Sequence, residues 1–217
     1  ILFSYTQAGD FPFVAHEWLP SFINSFFYDY MGYNFLIFTK FFIFLIMFCL
    51  CMNLVRKVTK NLPVAFFVSS LCLLTMNYRS FMRPEIYAYT FFFLELNLLT
   101  YFQLEGKRKY LFYLILVNIL WANSHGSFLV GLGLPFLWGG GLWLDHIWGK
   151  VFKKSKKPLE LKVLKDLWGT GILCGLTCLL NPFGLGLLEH VYDLSQNDYI
   201  KGVIFEWRPT LSNVVKS

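Results

Sequence analysis

The sequence predicts an all-α integral membrane protein, and three observations carry that reading. Only 15% of its 217 residues are charged, against 56% hydrophobic and 20% aromatic, with a mean hydropathy of +0.52. That is too little polar surface for a water-facing globule, since soluble domains run near ~25% charged. The apolar residues fall in long blocks rather than at the spacing of a core-facing stripe. The basic residues gather between the blocks. A net charge of +6 could suggest nucleic acid, but its distribution makes it an orientation signal, and no nucleic-acid partner is expected. The chain has no initiator Met and no signal peptide. We therefore expect one polytopic domain over 1–217, cut from a longer chain, with one span upstream and more chain downstream.

The elements follow in order. Asp10-Phe11-Pro12 reads as a loop, followed by an amphipathic helix near His16-Glu17-Trp18, with Trp18 and Phe22 placed to anchor in lipid. Residues 34–55, 84–104 and 127–148 are long enough to span. Residues 63–76, 110–122 and 167–180 are shorter than the roughly 20 apolar residues a span needs, and cross only if flanks snorkel or the bilayer thins. The expectation is about six transmembrane or re-entrant helices. Asn77–Pro84 is a turn, Asn123–Ser127 a polar break, and Asn181-Pro182-Phe183-Gly184 a Pro/Gly turn explained by structure alone.

If all six cross, three basic groups fall on one side: Arg56, Lys57 and Lys60; Lys107, Arg108 and Lys109; and seven lysines from Lys150 to Lys165. These hold 13 of the 19 Lys and Arg. The positive-inside rule makes that side cytoplasmic. The unusual polar residues then lie on the extracytoplasmic side.

Each constellation has a bland alternative. His16 and Glu17 form an acid/base pair beside Trp18, which stacks on a sugar or sits among headgroups. Arg79 and Arg83 suit a surface phosphate, or else Arg83 pairs with Glu85. Asn123-Ser124-His125-Gly126-Ser127 puts polar, non-helical backbone at membrane level, tolerated only where protein or a watery cavity surrounds it. His125 there binds metal, takes a proton or bonds a ligand hydroxyl, unless the segment is merely a hairpin turn. Glu206-Trp207-Arg208 repeats the acidic-aromatic-basic theme. Glu95, inside a span, faces protein or a cavity rather than lipid, and a buried hydrogen bond to Asn97 or Lys40 is the favoured reading. The five cysteines lie in apolar runs without a CxxC, so the i, i+4 pair Cys174 and Cys178 reads as packing rather than a soft-metal site. Gly139-Gly140-Gly141 reads as helix packing or a kink.

In sequence order, SYTQAGDFPFVAHEWL, YRSFMRPEIYAY, LWANSHGSFLVGL, LLNPFGLGLL and FEWRP resemble bacterial polytopic proteins with HEWL, R-x-RP, WANxHG, NPYG and EW signatures. These are similar to the GT-C superfamily of multispanning glycosyltransferases that use polyprenyl-phosphate-linked sugars. The resemblance covers residues 4–209 in scattered blocks. It implies a GT-C-like fold in the bacterial inner membrane and transfer of a sugar from a polyprenyl-phosphate donor on the extracytoplasmic face, in contact with the lipid bilayer. It implies Glu17, His16 and Asp10 as catalytic candidates. Arg79, Arg83, Asn123, His125, Trp18, Glu206 and Trp207 would bind substrate, and a divalent metal (Mg or Mn) is an optional cofactor. Two departures stand out: Pro20-Ser21 follows HEWL, and the first-loop acid of GT-C enzymes would lie before Ile1. The alternative is a non-catalytic scaffold subunit with partners in a larger membrane complex. A transporter is disfavoured because the charges cluster at one face instead of at mid-membrane.

Overall fold

The computed structural model describes residues 15, 17–76, 83–151 and 160–196. The described chain is helical, without a strand: α1 (Trp18–Met31), α2 (Tyr33–Thr59), α3 (Leu62–Met76), α4 (Glu85–Glu105), α5 (Lys109–Ala122), α6 (Phe128–Val151), α7 (Leu161–Thr177), a short 3-10 turn at Cys178–Leu180, and α8 (Gly186–Gln196). Three helical stretches are long and apolar enough to cross a membrane: Tyr33–Thr59, Phe128–Lys150 and Leu161–Leu180. Leu62–Met76 and Lys109–Ala122 are shorter apolar helices.

The chain divides into two compact units. One is Ala15–Asn181, built around α4, which packs on α2, α5 and α6. α4 could not face lipid all round, because it carries Glu95, Asn97 and Thr100. The fold surrounds it instead, burying Glu95 completely and leaving Asn97 only 3% exposed. Leu98, Leu99 and Phe102 of α4 meet Leu111, Leu114 and Val117 of α5, Leu134 of α6, and Leu167 and Cys174 of α7 in one apolar core. A second cluster joins Met47 and Cys51 of α2 to Phe93. The other unit's described part, 182–196, is a turn through Gly184 (φ +53°) leading into α8.

Polar cross-links fix which helices meet. Asn53 of α2 donates to Asn97 Oδ1 (2.6 Å). Asn118 of α5 donates to Glu95 Oε1 (2.5 Å); the partner expected from sequence, Asn97 or Lys40, is replaced because α5 lies nearer on that face. Asn97 instead turns its amide to the carbonyls of Leu50 and Phe93. Glu95 Oε2 and Asn118 Oδ1 have no hydrogen-bond partner. Arg108 grips Asp166 of α7 with two bonds of 2.8 and 2.6 Å, the bidentate geometry a guanidinium favours. That contact raises the Arg108 pKa through its hydrogen bond and charge pairing with Asp166.

The α6–α7 crossing is close. A Cβ added at Gly171 would lie 2.4 Å from the Phe136 ring, and one at Gly139 would lie 2.6 Å from Trp168 Nε1. Gly139 is therefore a packing glycine, as its place in the apolar run suggested. All five cysteines are free thiols, with Cys174 and Cys178 buried. No cluster of three metal-ligating side chains occurs among the described residues.

Contacts also sort the ends of the larger unit. Lys57 lies over the Tyr101 ring, 4.0 Å from its centroid, and Arg108 meets α7. Among the described residues, Lys57, Arg108 and the start of α7 thus lie at one end of α4 and α5. At the opposite end of α4 and α5, Tyr87 donates to Asn24 of α1 (2.8 Å).

Candidate functional site

The start of α1 and the turn between α5 and α6 come together at the end of α5 remote from Arg108 and Lys109. α1 begins at Trp18 because Pro20 sits in its first turn, where the missing N–H would have no intrahelical partner and the ring constrains φ to a helical value. Pro20, the departure from the HEWL pattern, is fully buried.

α5 ends where Asn123 and Ser124 turn their side chains back on the helix. Asn123 Nδ2 donates to the Ile119 carbonyl (2.8 Å) and Ser124 Oγ to the Leu120 carbonyl (2.7 Å). These bonds satisfy carbonyls that a helix end leaves open. Both residues are buried, at 5% and 1% exposed. Asn181, at the end of the 3-10 turn, donates its amide to the Ala122 carbonyl (3.0 Å).

Onto this turn α1 docks. Trp18 Nε1 donates to Asn123 Oδ1 at 2.8 Å, across 105 positions of sequence. The Leu19 N–H donates to the Asn123 carbonyl at 3.2 Å. Trp18 therefore spends its polar edge on protein, not on lipid headgroups. The lipid-anchor role remains open to Phe22, which is 63% exposed. This docking sets Glu17 Oε1 3.4 Å from His125 Nε2, with side chains 30% and 22% exposed.

The imidazole is oriented from behind. The Ser127 N–H donates to His125 Nδ1 (3.1 Å), and Ser127 Oγ lies 2.8 Å from the same atom. Ser127 Oγ also accepts from Trp121 Nε1 (3.2 Å). Nδ1 must therefore present its lone pair, which puts the neutral ring's proton on Nε2, toward Glu17. A partly exposed carboxylate held by an oriented imidazole can take a proton from a hydroxyl or hold its hydrogen.

Of the residues expected from sequence, Glu17, Trp18, Asn123 and His125 are brought together. Arg83 lies just before α4, and Glu85 occupies that helix's first turn, where a negative charge suits the helix dipole. Tyr87, two residues later, ties this start to α1. Asp10, His16, Arg79, Glu206, Trp207 and Arg208 lie outside the described residues. Ser127 stands out in the sequence only as part of the polar break and Asn181 only as part of a turn, neither with a role of its own. Asn181 had a signal, a polar residue closing an apolar run as Asn123 does, but it was assigned to turn formation alone.

Comparison of the chain with protein-family models, curated proteins and solved structures finds no match.

Proposed function

We propose that the protein is a GT-C-like membrane glycosyltransferase that moves a sugar from a polyprenyl-phosphate donor to an acceptor hydroxyl. The observation that carries this reading is the Glu17–His125 pair, assembled by the docking of Trp18 and Leu19 on Asn123. Two segments singled out for their chemistry, 108 positions apart, meet as a carboxylate and an oriented imidazole. The position of Lys57 and Arg108 at the other end of α4 and α5 supports placing this site on the extracytoplasmic face of a bacterial inner membrane.

In this reaction Glu17 takes the acceptor's hydroxyl proton as its oxygen attacks the anomeric carbon. The bond from that carbon to the phosphate oxygen breaks, and the phosphate leaves with the electron pair. His125, oriented by Ser127, positions the Glu17 carboxylate by donating from Nε2. To Arg83, just before α4, this reading assigns stabilisation of the leaving phosphate. Glu17 and His125, one carboxylate and one imidazole, do not by themselves make up the oxygen-rich set that Mg or Mn takes.

The test uses the purified protein in liposomes with a panel of polyprenyl-phosphate sugars. Glu17→Gln should lower transfer by about 10²-fold or more, the range for losing a general base, and His125→Ala by less. Wild-type rates in Glu17→Gln would sink the base assignment. No transfer by the wild-type protein with any donor would leave the scaffold reading standing.

A further inference from the structure

A second site lies at the opposite end of α4 and α5, independent of the transferase reading. α2 and α4 touch through Asn53, Asn97 and Tyr101, and a surface groove runs beside that contact. The groove is apolar, about 550 Å³, its walls including Phe42, Ile46 and Cys49 of α2 with Leu94 and Leu98 of α4. From Phe42 to Asn53 it extends about 16 Å at 1.5 Å per helical residue, which suits one hydrocarbon chain laid along the helices.

One end of the groove is polar. Asn53 donates to the Tyr101 hydroxyl (3.2 Å), so that hydroxyl's own hydrogen can be given to a ligand oxygen. Tyr101 stacks on Tyr110, with centroids 5.5 Å apart and planes at 20°, and both rings line the groove. A lysine covers each ring: Lys57 Nζ is 4.0 Å from the Tyr101 centroid, and Lys109 Nζ is 5.0 Å from that of Tyr110. The acidic group nearby in sequence, Glu105, is paired with Lys107 at 2.8 Å. Its pKa is lowered by hydrogen bonds from Lys107 and Tyr110. Lys57 and Lys109 thus leave an excess of positive charge at the groove's polar end.

We propose that this groove binds an anionic glycerophospholipid, with one acyl chain between α2 and α4 and its phosphate between Lys57 and Lys109. The chain length fits the apolar wall, the charge is complementary, and the Tyr101 hydroxyl meets the ester region. A zwitterionic lipid would fill the same groove without the net attraction of the two lysines.

Native mass spectrometry of the detergent-purified protein, exchanged with phosphatidylglycerol or phosphatidylcholine of identical chains, tests this. Phosphatidylglycerol should be retained about 10- to 30-fold better, the preference expected of two lysines at a membrane surface. Lys57→Gln with Lys109→Gln, both changes at solvent-reachable side chains, should bring the two lipids within about twofold. Lys150→Gln, on α6, should leave the preference unchanged. Bound phosphatidylglycerol should also slow maleimide labelling of Cys49, which lines the groove and is exposed, in a variant whose other cysteines are replaced by serine or alanine. Equal retention of the two lipids by the wild type, or an unchanged preference in the double variant, would overturn the proposal. So would a stably associated second polypeptide in place of lipid.

Discussion

The docking of α1 on the α5–α6 turn can be measured as a coupling energy between Trp18 and Asn123. Trp18→Phe keeps the aromatic bulk but removes the indole N–H, leaving Asn123 Oδ1 without that donor. Asn123 is 5% exposed, so the loss includes desolvation of a buried acceptor, about 1–3 kcal/mol. Asn123→Ala removes the same bond and also the one to the Ile119 carbonyl, for about 1.5–3 kcal/mol by the same accounting. The double variant loses the shared bond only once. A double-mutant cycle should therefore give a coupling of about 0.5–1.5 kcal/mol, the net worth of one neutral hydrogen bond. The backbone bond from Leu19 to the Asn123 carbonyl survives in every variant, so the helix keeps its register and the cycle isolates the side chains. Reversible unfolding in mixed detergent micelles is the assay. Additivity to within about 0.3 kcal/mol, as for separated residues, would mean that α1 does not dock here, and the Glu17–His125 pair would lose its support.

Two other predictions concern the interior. Gly171→Ala drives a methyl into the Phe136 ring and should cost about 1–3 kcal/mol, as overpacked sites do; Phe136→Leu should recover part of that loss in the same assay, and a neutral Gly171→Ala would refute the close crossing. Asn118→Leu leaves the buried Glu95 without its donor and should destabilise more than the double variant Glu95→Leu with Asn118→Leu, which removes both polar groups. The opposite order would show that the pair is not a unit.

Much of the helical layout was legible because its signals are local. The apolar block 110–122 becomes α5 at Lys109–Ala122, and 63–76 becomes α3 at Leu62–Met76, each bounded by a Pro, a polar break or a lysine cluster. The start of α7 was less legible. Its first turns, Leu161 to Asp166, carry Lys162, Lys165 and Asp166, so the apolar run reads as starting only at 167, although the helix long and apolar enough to cross begins at Leu161. These turns are helical because Leu164 is buried in the bundle and Asp166 is held by Arg108. At the site, sequence identified the residue types and their shared side but not the pairings. Glu17 was read with its neighbour His16, whereas its described partner is His125, because fold and not chain proximity decides which imidazole meets it. Glu95 illustrates the same point: nothing in its own helix indicates that Asn118 will face it.

The bond between Trp18 and Asn123 also constrains how the chain is assembled. When Trp18 leaves the ribosome, its acceptor is still 105 residues from being made, about 5–20 s at synthesis rates of ~5–20 residues per second. During that interval the indole has no Asn123 to reach, and Glu17 has no His125. α1 must therefore wait while α2 to α5 are made, and the site closes only as the α5–α6 turn emerges. Slowed synthesis across α3 and α4 would lengthen the wait, and the time a newly made α1 remains open to proteolysis would report it.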